Sequence, residues 1–288
     1  MTPVALERAI AATRARRSLQ LWRAVEAQHL ASTRVLVDTL DEQAELERLL
    51  DAAKPALERP PALHWLLYTP FRYPPLPSGS RFRGPADPGV WYGAEAERTA
   101  CAELGYWRWR FLLASPELDA LAARPQSVFR ARLRGESVDL RQPPFDAART
   151  AWTAPDDYGA CQSFARQARA VGIAIVRYQS VRDPEHAGCG AVLSLAAFAA
   201  SEPTEVQTWL LEVRRERVTW TPASPLANQR FEFRFARAAA QAPLAGAGNE
   251  KGPAGPLRDA GIAALRPATE VARQSSTRKL RSCSDRDG

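Results

Sequence analysis

Pro74, Pro75 and Pro77 stand so close together that neither helix nor strand can run from Arg72 to Gly79, and the chain must cross this stretch as a rigid loop. A second proline-rich stretch, Pro55 to Pro61, acts as a hinge. Between the two, Leu63 to Thr69 reads as a short buried strand or a helical turn. These breaks divide the chain into a helical N-terminal extension (1–58), a main domain (59–237) and a tail (238–288). Beyond Ala238 the sequence turns to Ala, Gly, Pro, Ser and Arg without aromatic residues, the composition of a disordered segment.

The periodicity fills in the rest. Leu19, Trp22 and Val25, then Leu36 and Leu40, recur at helical spacing, so residues 4–52 are predicted to be helices. They form either a hairpin packed on the main domain or a docking surface for a partner protein or a second copy of the chain. Val90 to Tyr92 reads as a short strand ending at Gly93, followed by a helix from Glu95 to Leu113. Residues 125–140 alternate loosely and suggest two strands with Gly135 as the turn. A helix over Cys161 to Val171 is capped by Gly172. Ile173 to Tyr178 is the clearest strand, with further strands at Ala191 to Leu195, a hairpin over Thr208–Val213 and Arg217–Thr221, and an edge strand at Phe231 to Phe235. Helices and strands mix without regular βαβ alternation, which predicts an α+β fold. No G-x-G-x-x-G opens a helix, so a Rossmann dinucleotide site is not supported.

Composition narrows the classes. Only Lys54, Lys251 and Lys279 among 39 basic residues are lysine, and the arginines are spread without forming a run. With a net charge of +7 that is a weak footprint for nucleic-acid binding, which is not indicated. Four cysteines lack a CxxC pair and three histidines are scattered, so neither a metal site nor a disulfide framework is expected. No membrane span and no secretory leader are expected, which makes the cytoplasm the default location.

The chemistry concentrates between Arg72 and Glu103. Arg72, Arg81 and Arg83 lie in loops bounded by Pro and Gly. They are either solvated surface charge or several guanidinium forks aimed at one diphosphate. In the second case Gly79, Gly84 and Gly89 would let backbone amides approach the phosphates. Tyr73 and Tyr92 offer flat faces to an aromatic base. On the helix wheel Glu103 falls beside Ala96, Ala100 and Trp107, at the edge of an apolar stripe that continues through Leu104 and Phe111. It is either an edge carboxylate paired with Arg110 or a functional acid. Glu95 and Glu97 form an E-x-E pair at a helix start, where acids favour the dipole, and are assigned to capping. At the end of the best strand, Arg182 and Asp183 can pair with each other. Ser180 either starts the turn or is placed to hydrogen-bond a ribose or an amide.

Several blocks in order, Phe71-Arg-Tyr-Pro, Ser80-Arg-Phe-Arg, Pro88-Gly-Val-Trp-Tyr-Gly-Ala, Thr99-Ala-Cys-Ala-Glu, Tyr158-Gly-Ala-Cys-Gln and Arg177-Tyr-Gln-Ser-Val-Arg-Asp-Pro, make Pro70 to Leu193 resemble the RES domain family, named for its Arg, Glu and Ser. The resemblance implies an ADP-ribosyltransferase-like fold and a toxin of a bacterial toxin–antitoxin pair. Such a protein consumes NAD by breaking the nicotinamide–ribose bond or transfers ADP-ribose, and its partner is an Xre-type helix-turn-helix antitoxin. By position it implies Glu103, Arg81 and Ser180 as catalytic residues and Arg72, Tyr73, Arg83 and Tyr92 as NAD-binding residues, with no metal. One departure is Gly159, where some members carry a serine.

Overall fold

The computed structural model describes residues 3–27, 42, 45, 63–73, 77, 79–224 and 229–236. The tail predicted for 238–288, the hinge at 55–61 and most of the predicted helix over 28–52 lie outside the described residues. The described elements run in the order α1 (Pro3–Thr13), β1 (Ala15–Glu26), α2 (Trp65–Arg72), β2 (Trp91–Ala94), α3 (Glu97–Leu113), β3 (Ala120–Asp139), α4 (Arg149–Trp152), α5 (Gly159–Ala170), β4 (Ile175–Gln179), β5 (Gly188–Val192), β6 (Glu205–Arg214), β7 (Val218–Pro222) and β8 (Phe231–Phe233). The fold is α+β, with a large mixed sheet and helices packed around it.

One sheet carries the strands in the order β1-β2-β5-β4-β3-β6-β7-β8, and β1 also pairs with β3. The pairings β1–β2–β5–β4–β3–β1 therefore close a ring, from which β6, β7 and β8 continue along the first half of β3. Only β3 and β4 run parallel; the other pairs are antiparallel. One face buries Leu21, Trp91, Phe129, Ala131, Leu133, Ile175 and Val192, at least one residue from each ring strand. The other buries Ala94, Val138, Val176, Tyr178, Cys189 and Ala191 against Ile10 of α1, Ala100 of α3 and Phe164 of α5.

Two predicted elements are corrected. Ala15–Glu26 is a strand where a helix was expected, and it pairs with β3 from Ala15↔Ser137 to Glu26↔Gln126. Its long ladder outweighs the helical spacing of Leu19, Trp22 and Val25, because backbone bonds to a central strand satisfy the whole segment. Residues 120–139 are one strand, with no turn at Gly135. A Cβ at Gly135 would come within 3.0 Å of the Ala174 Cβ, so this glycine serves a close approach.

The stretch Leu63 to Thr69 proves helical from Trp65 onward, and the helix extends to Arg72. His64 caps the helix by accepting from the Leu66 amide at 3.2 Å. Pro70 sits inside α2 and has no N–H for the Leu66 carbonyl one turn back. The Trp91 indole takes its place, donating Nε1–H to Leu66 O at 3.3 Å. The α2–β2 contact thus supplies the bond that the proline removes.

Candidate active site

The site forms where α3, the loop at 79–84, the segment 152–158 and the end of β4 meet. Ser180 is 0% exposed. Its Oγ donates to Glu103 Oε1 at 2.5 Å and accepts from the Asp183 amide at 2.9 Å. The turn beyond it is tied by Ser180 N to Ala187 O at 2.8 Å and His186 N to Asp183 O at 2.9 Å. His186 adopts φ 54° there, a left-handed value uncommon outside glycine. Cys189 Sγ, on the neighbouring strand, lies 4.0 Å from the same Glu103 oxygen.

Arg81 belongs to a tight turn in which Ser80 and Arg83 exchange backbone bonds of 2.7 and 3.1 Å. Gly79 precedes it at φ 67°. Tyr92 holds this turn from below: its hydroxyl shares a 2.7 Å bond with Ser80 Oγ and accepts from Phe82 N at 2.9 Å. Burial pushes the Tyr92 phenol up to about 12, so it stays neutral. Gln162 adds a bond to Ser80 O at 3.0 Å. Arg81 Nη1 then donates to the carbonyls of Trp152 and Ala154 at 2.9 and 3.0 Å, and its guanidinium lies 4.9 Å from the Tyr158 ring centroid. Burial opposes the Arg81 charge, but Cys161, Tyr158, Tyr178 and Glu103 outweigh it and raise its pKa. Arg81, Tyr92, Glu103 and Ser180 are thus brought into one neighbourhood.

The other predicted residues are placed differently. Arg72 ends α2 and Tyr73 follows it as the cap. Arg83 Nη2 donates to Tyr73 O at 2.7 Å and its Nε to Asp87 O at 3.2 Å, which ties the two loops together. Gly84 gives its amide to Asp87 Oδ2 at 2.7 Å. Gly89 fits against the backbone of α2, where a Cβ would lie 2.3 Å from Phe71 Cα. Both glycines therefore serve contacts within the protein.

Two of the pairings left open by the sequence, and one capping assignment, are corrected. Glu103 bonds to Ser180, while Arg110 pairs with Asp156 at 3.1 Å. Arg182 and Asp183 diverge: Asp183 accepts from Arg98 and Thr99 at 2.8 Å each, while Arg182 donates to the Tyr106 and Tyr158 hydroxyls at 3.1 and 3.3 Å and to the Pro155 carbonyl. Glu95 is not a cap, since the N-cap of α3 is Ala96. It binds Arg141 at 2.9 Å and Arg177 at 2.7 Å, and Asp139 joins both arginines. A side chain at Gly188 would displace this network, its Cβ falling 2.0 Å from Glu95 Oε2.

The RES domain model matches residues 56–221, more than half of the chain and all of the elements just described around Glu103. The protein belongs to the RES domain family. No curated protein matches it. Among solved structures it is similar to the one titled crystal structure of the M. tuberculosis MbcT–MbcA toxin–antitoxin complex, with 14% identity, a TM-score of 0.40, and coverage of 73% of this chain and 91% of that one. In this RES protein the ring also requires β1, which precedes the matched residues: Leu21 packs over Gly93 and Gly190, and Arg23 Nη1 donates to Tyr92 O at 2.8 Å.

Sequence reasoning assigned no role to Tyr158 and Tyr178, which stand beside Arg81 and Glu103. The signal for both was present, since each falls inside a block that carries the RES resemblance. Among the described residues no group of His, Cys, Asp and Glu could hold a metal ion, and no helix is long and apolar enough to cross a membrane.

Proposed function

We propose that this RES protein cleaves the nicotinamide–ribose bond of NAD and acts as the toxin of a toxin–antitoxin pair in the cytoplasm. The observation that carries this reading is Glu103, a partly buried carboxylate tied through one oxygen to Ser180 and within electrostatic reach of the Arg81 guanidinium. Breaking that bond sends its electron pair to nicotinamide and leaves positive charge on the ribose. A fixed carboxylate stabilises such a cation where it forms. Ser180 holds Glu103 in place, and Arg81, with Arg72 assisting, draws the diphosphate. Tyr73 and Tyr92 border the nucleotide, and Arg83 acts by holding the loops that present Tyr73 and Arg81.

An acceptor oxygen then bonds to the ribose carbon. Water yields ADP-ribose, nicotinamide and a proton; phosphate yields the ribose phosphate ester. A protein side chain as acceptor would make the enzyme an ADP-ribosyltransferase with the same cleavage step. The family resemblance supports an Xre-type helix-turn-helix protein as the antitoxin.

The test is to incubate the purified protein with NAD, with and without phosphate, and identify products by mass spectrometry. Glu103→Gln should abolish NAD loss while the unfolding transition is retained. Undiminished NAD loss by the folded variant would refute the role of Glu103. An inert wild-type protein would leave a partner-binding role on the same scaffold.

A further inference from the structure

Tyr178 lies on β4 two residues before Ser180, which follows the last strand residue, Gln179, and is tied back by its amide to Ala187 O at 2.8 Å. The partner of Tyr178 in register on β5 is Cys189, the residue whose sulfur approaches Glu103. The ring of Tyr178 packs against Phe82 with centroids 4.8 Å apart, which fixes its direction. Only 6% of the residue is exposed.

The hydroxyls around it are all engaged. Ser180 Oγ serves Glu103 and the Asp183 amide, the Tyr92 hydroxyl serves Ser80 and Phe82, and the Tyr158 hydroxyl accepts from Arg182. The Tyr178 hydroxyl, by contrast, has no hydrogen-bond partner among the described residues, and its oxygen is not sealed in as Gln126 Oε1 and Trp220 Nε1 are. A hydroxyl on a residue this buried that has no partner from the protein, yet whose oxygen stays accessible, calls for an explanation in a native structure. Burial pushes the phenol well above its ordinary value, so it keeps its proton and can donate. The groups acting electrostatically on it are Cys189, Glu103, Tyr92 and Arg81, the same set that surrounds the proposed reaction centre.

We propose that the Tyr178 hydroxyl is a ligand-binding group of this site, donating a hydrogen bond to a ribose oxygen of the bound nucleotide beside Glu103. The inference rests on the NAD-cleavage reading and extends it by one residue. A hydroxyl that waits for a ligand has an unusual signature when removed. Tyr178→Phe keeps the ring on Phe82 and takes away a donor that has no partner among the described residues. Stability should hold or rise while affinity falls.

The experiment compares wild type and Tyr178→Phe by thermal unfolding, by calorimetric titration with ADP-ribose and nicotinamide separately, and by the Michaelis constant for NAD. The expected result is an unfolding midpoint equal to or above wild type, with affinity for ADP-ribose and NAD weakened roughly 2- to 10-fold. A lowered midpoint, with or without weaker binding, assigns the hydroxyl to the fold and overturns the proposal. So does unchanged affinity. A loss confined to NAD and nicotinamide moves the contact to the carboxamide and overturns the ribose assignment. If wild type cleaves NAD and the variant behaves identically, only the Tyr178 inference fails. If wild type neither binds nor cleaves NAD, the functional reading fails and takes the inference with it.

Discussion

Asp183→Ala tests how firmly the serine turn is held. The carboxylate is 1% exposed and accepts from Arg98 Nη1 at 2.8 Å, Thr99 Oγ1 at 2.8 Å and the Glu185 amide at 3.1 Å. Truncation leaves the Thr99 hydroxyl, itself buried, without that acceptor, which costs about 1–3 kcal/mol. Arg98 keeps a second carboxylate, Glu185 at 3.0 Å, and is partly solvated, so its loss adds only about 1 kcal/mol. The Glu185 amide lies at an exposed residue and turns to water at little cost. The total is about 2–4 kcal/mol. Urea unfolding followed by tryptophan fluorescence should show a lower midpoint with an unchanged slope. A destabilisation under about 0.5 kcal/mol, the range of an ordinary surface substitution, would refute the claim that Asp183 anchors the turn.

Two further outcomes follow from the same structure. Gly89→Ala forces a Cβ to 2.3 Å from Phe71 Cα, backbone that cannot yield, whereas Gly172→Ala meets nothing within 4 Å and bears only the strain of φ 79°. Gly172→Ala should therefore cost about 1–2 kcal/mol and Gly89→Ala clearly more, read from paired urea midpoints; the reverse order would contradict the packing of β2 on α2. Glu95 and Asp139 are both held below the usual carboxylate range, because hydrogen bonds from Arg141, joined at Glu95 by Arg177, outweigh the burial that alone would raise them. Carboxylates depressed in this way stabilise fully above their unfolded values, near pH 4, and lose that contribution as pH falls through the folded ones. Stability should decline from about pH 5 downward, and Glu95→Gln should flatten that decline; an identical slope in the variant would show that the network is energetically silent.

What could be read from the sequence was what local chemistry decides. The helix around Glu103, the glycine that stops α5, the β6–β7 hairpin and the edge position of β8 each follow from signals within a few residues. β1 could not be read this way. Its alternation is blurred by Arg23, a buried charge paid for by the Tyr92 carbonyl and the Trp91 ring, and its partner β3 is about a hundred residues away. β3 was divided in two because a mid-strand glycine looks like a turn until Ala174 is seen against it.

The site shows the same division, and its geometry explains why Glu103 looked out of place. On the helix wheel the acid intruded on an apolar stripe, yet α3 is buried around most of its circumference and Phe111, assigned to that stripe, is exposed. The working pattern is a different one. Thr99, Glu103 and Tyr106 follow the i, i+4, i+7 spacing of a single helical face. They meet Asp183, Ser180 and Arg182 respectively, with bonds of 2.8, 2.5 and 3.1 Å. Three residues within the four-residue segment after β4 thus grip three successive turns of α3 through polar contacts. A search for apolar periodicity overlooks such a seam, because its members are a threonine, an acid and a tyrosine. Within it the carboxylate is the middle link, held by the Ser180 hydroxyl and within electrostatic reach of Arg81, so the polar seam of the fold fixes its position.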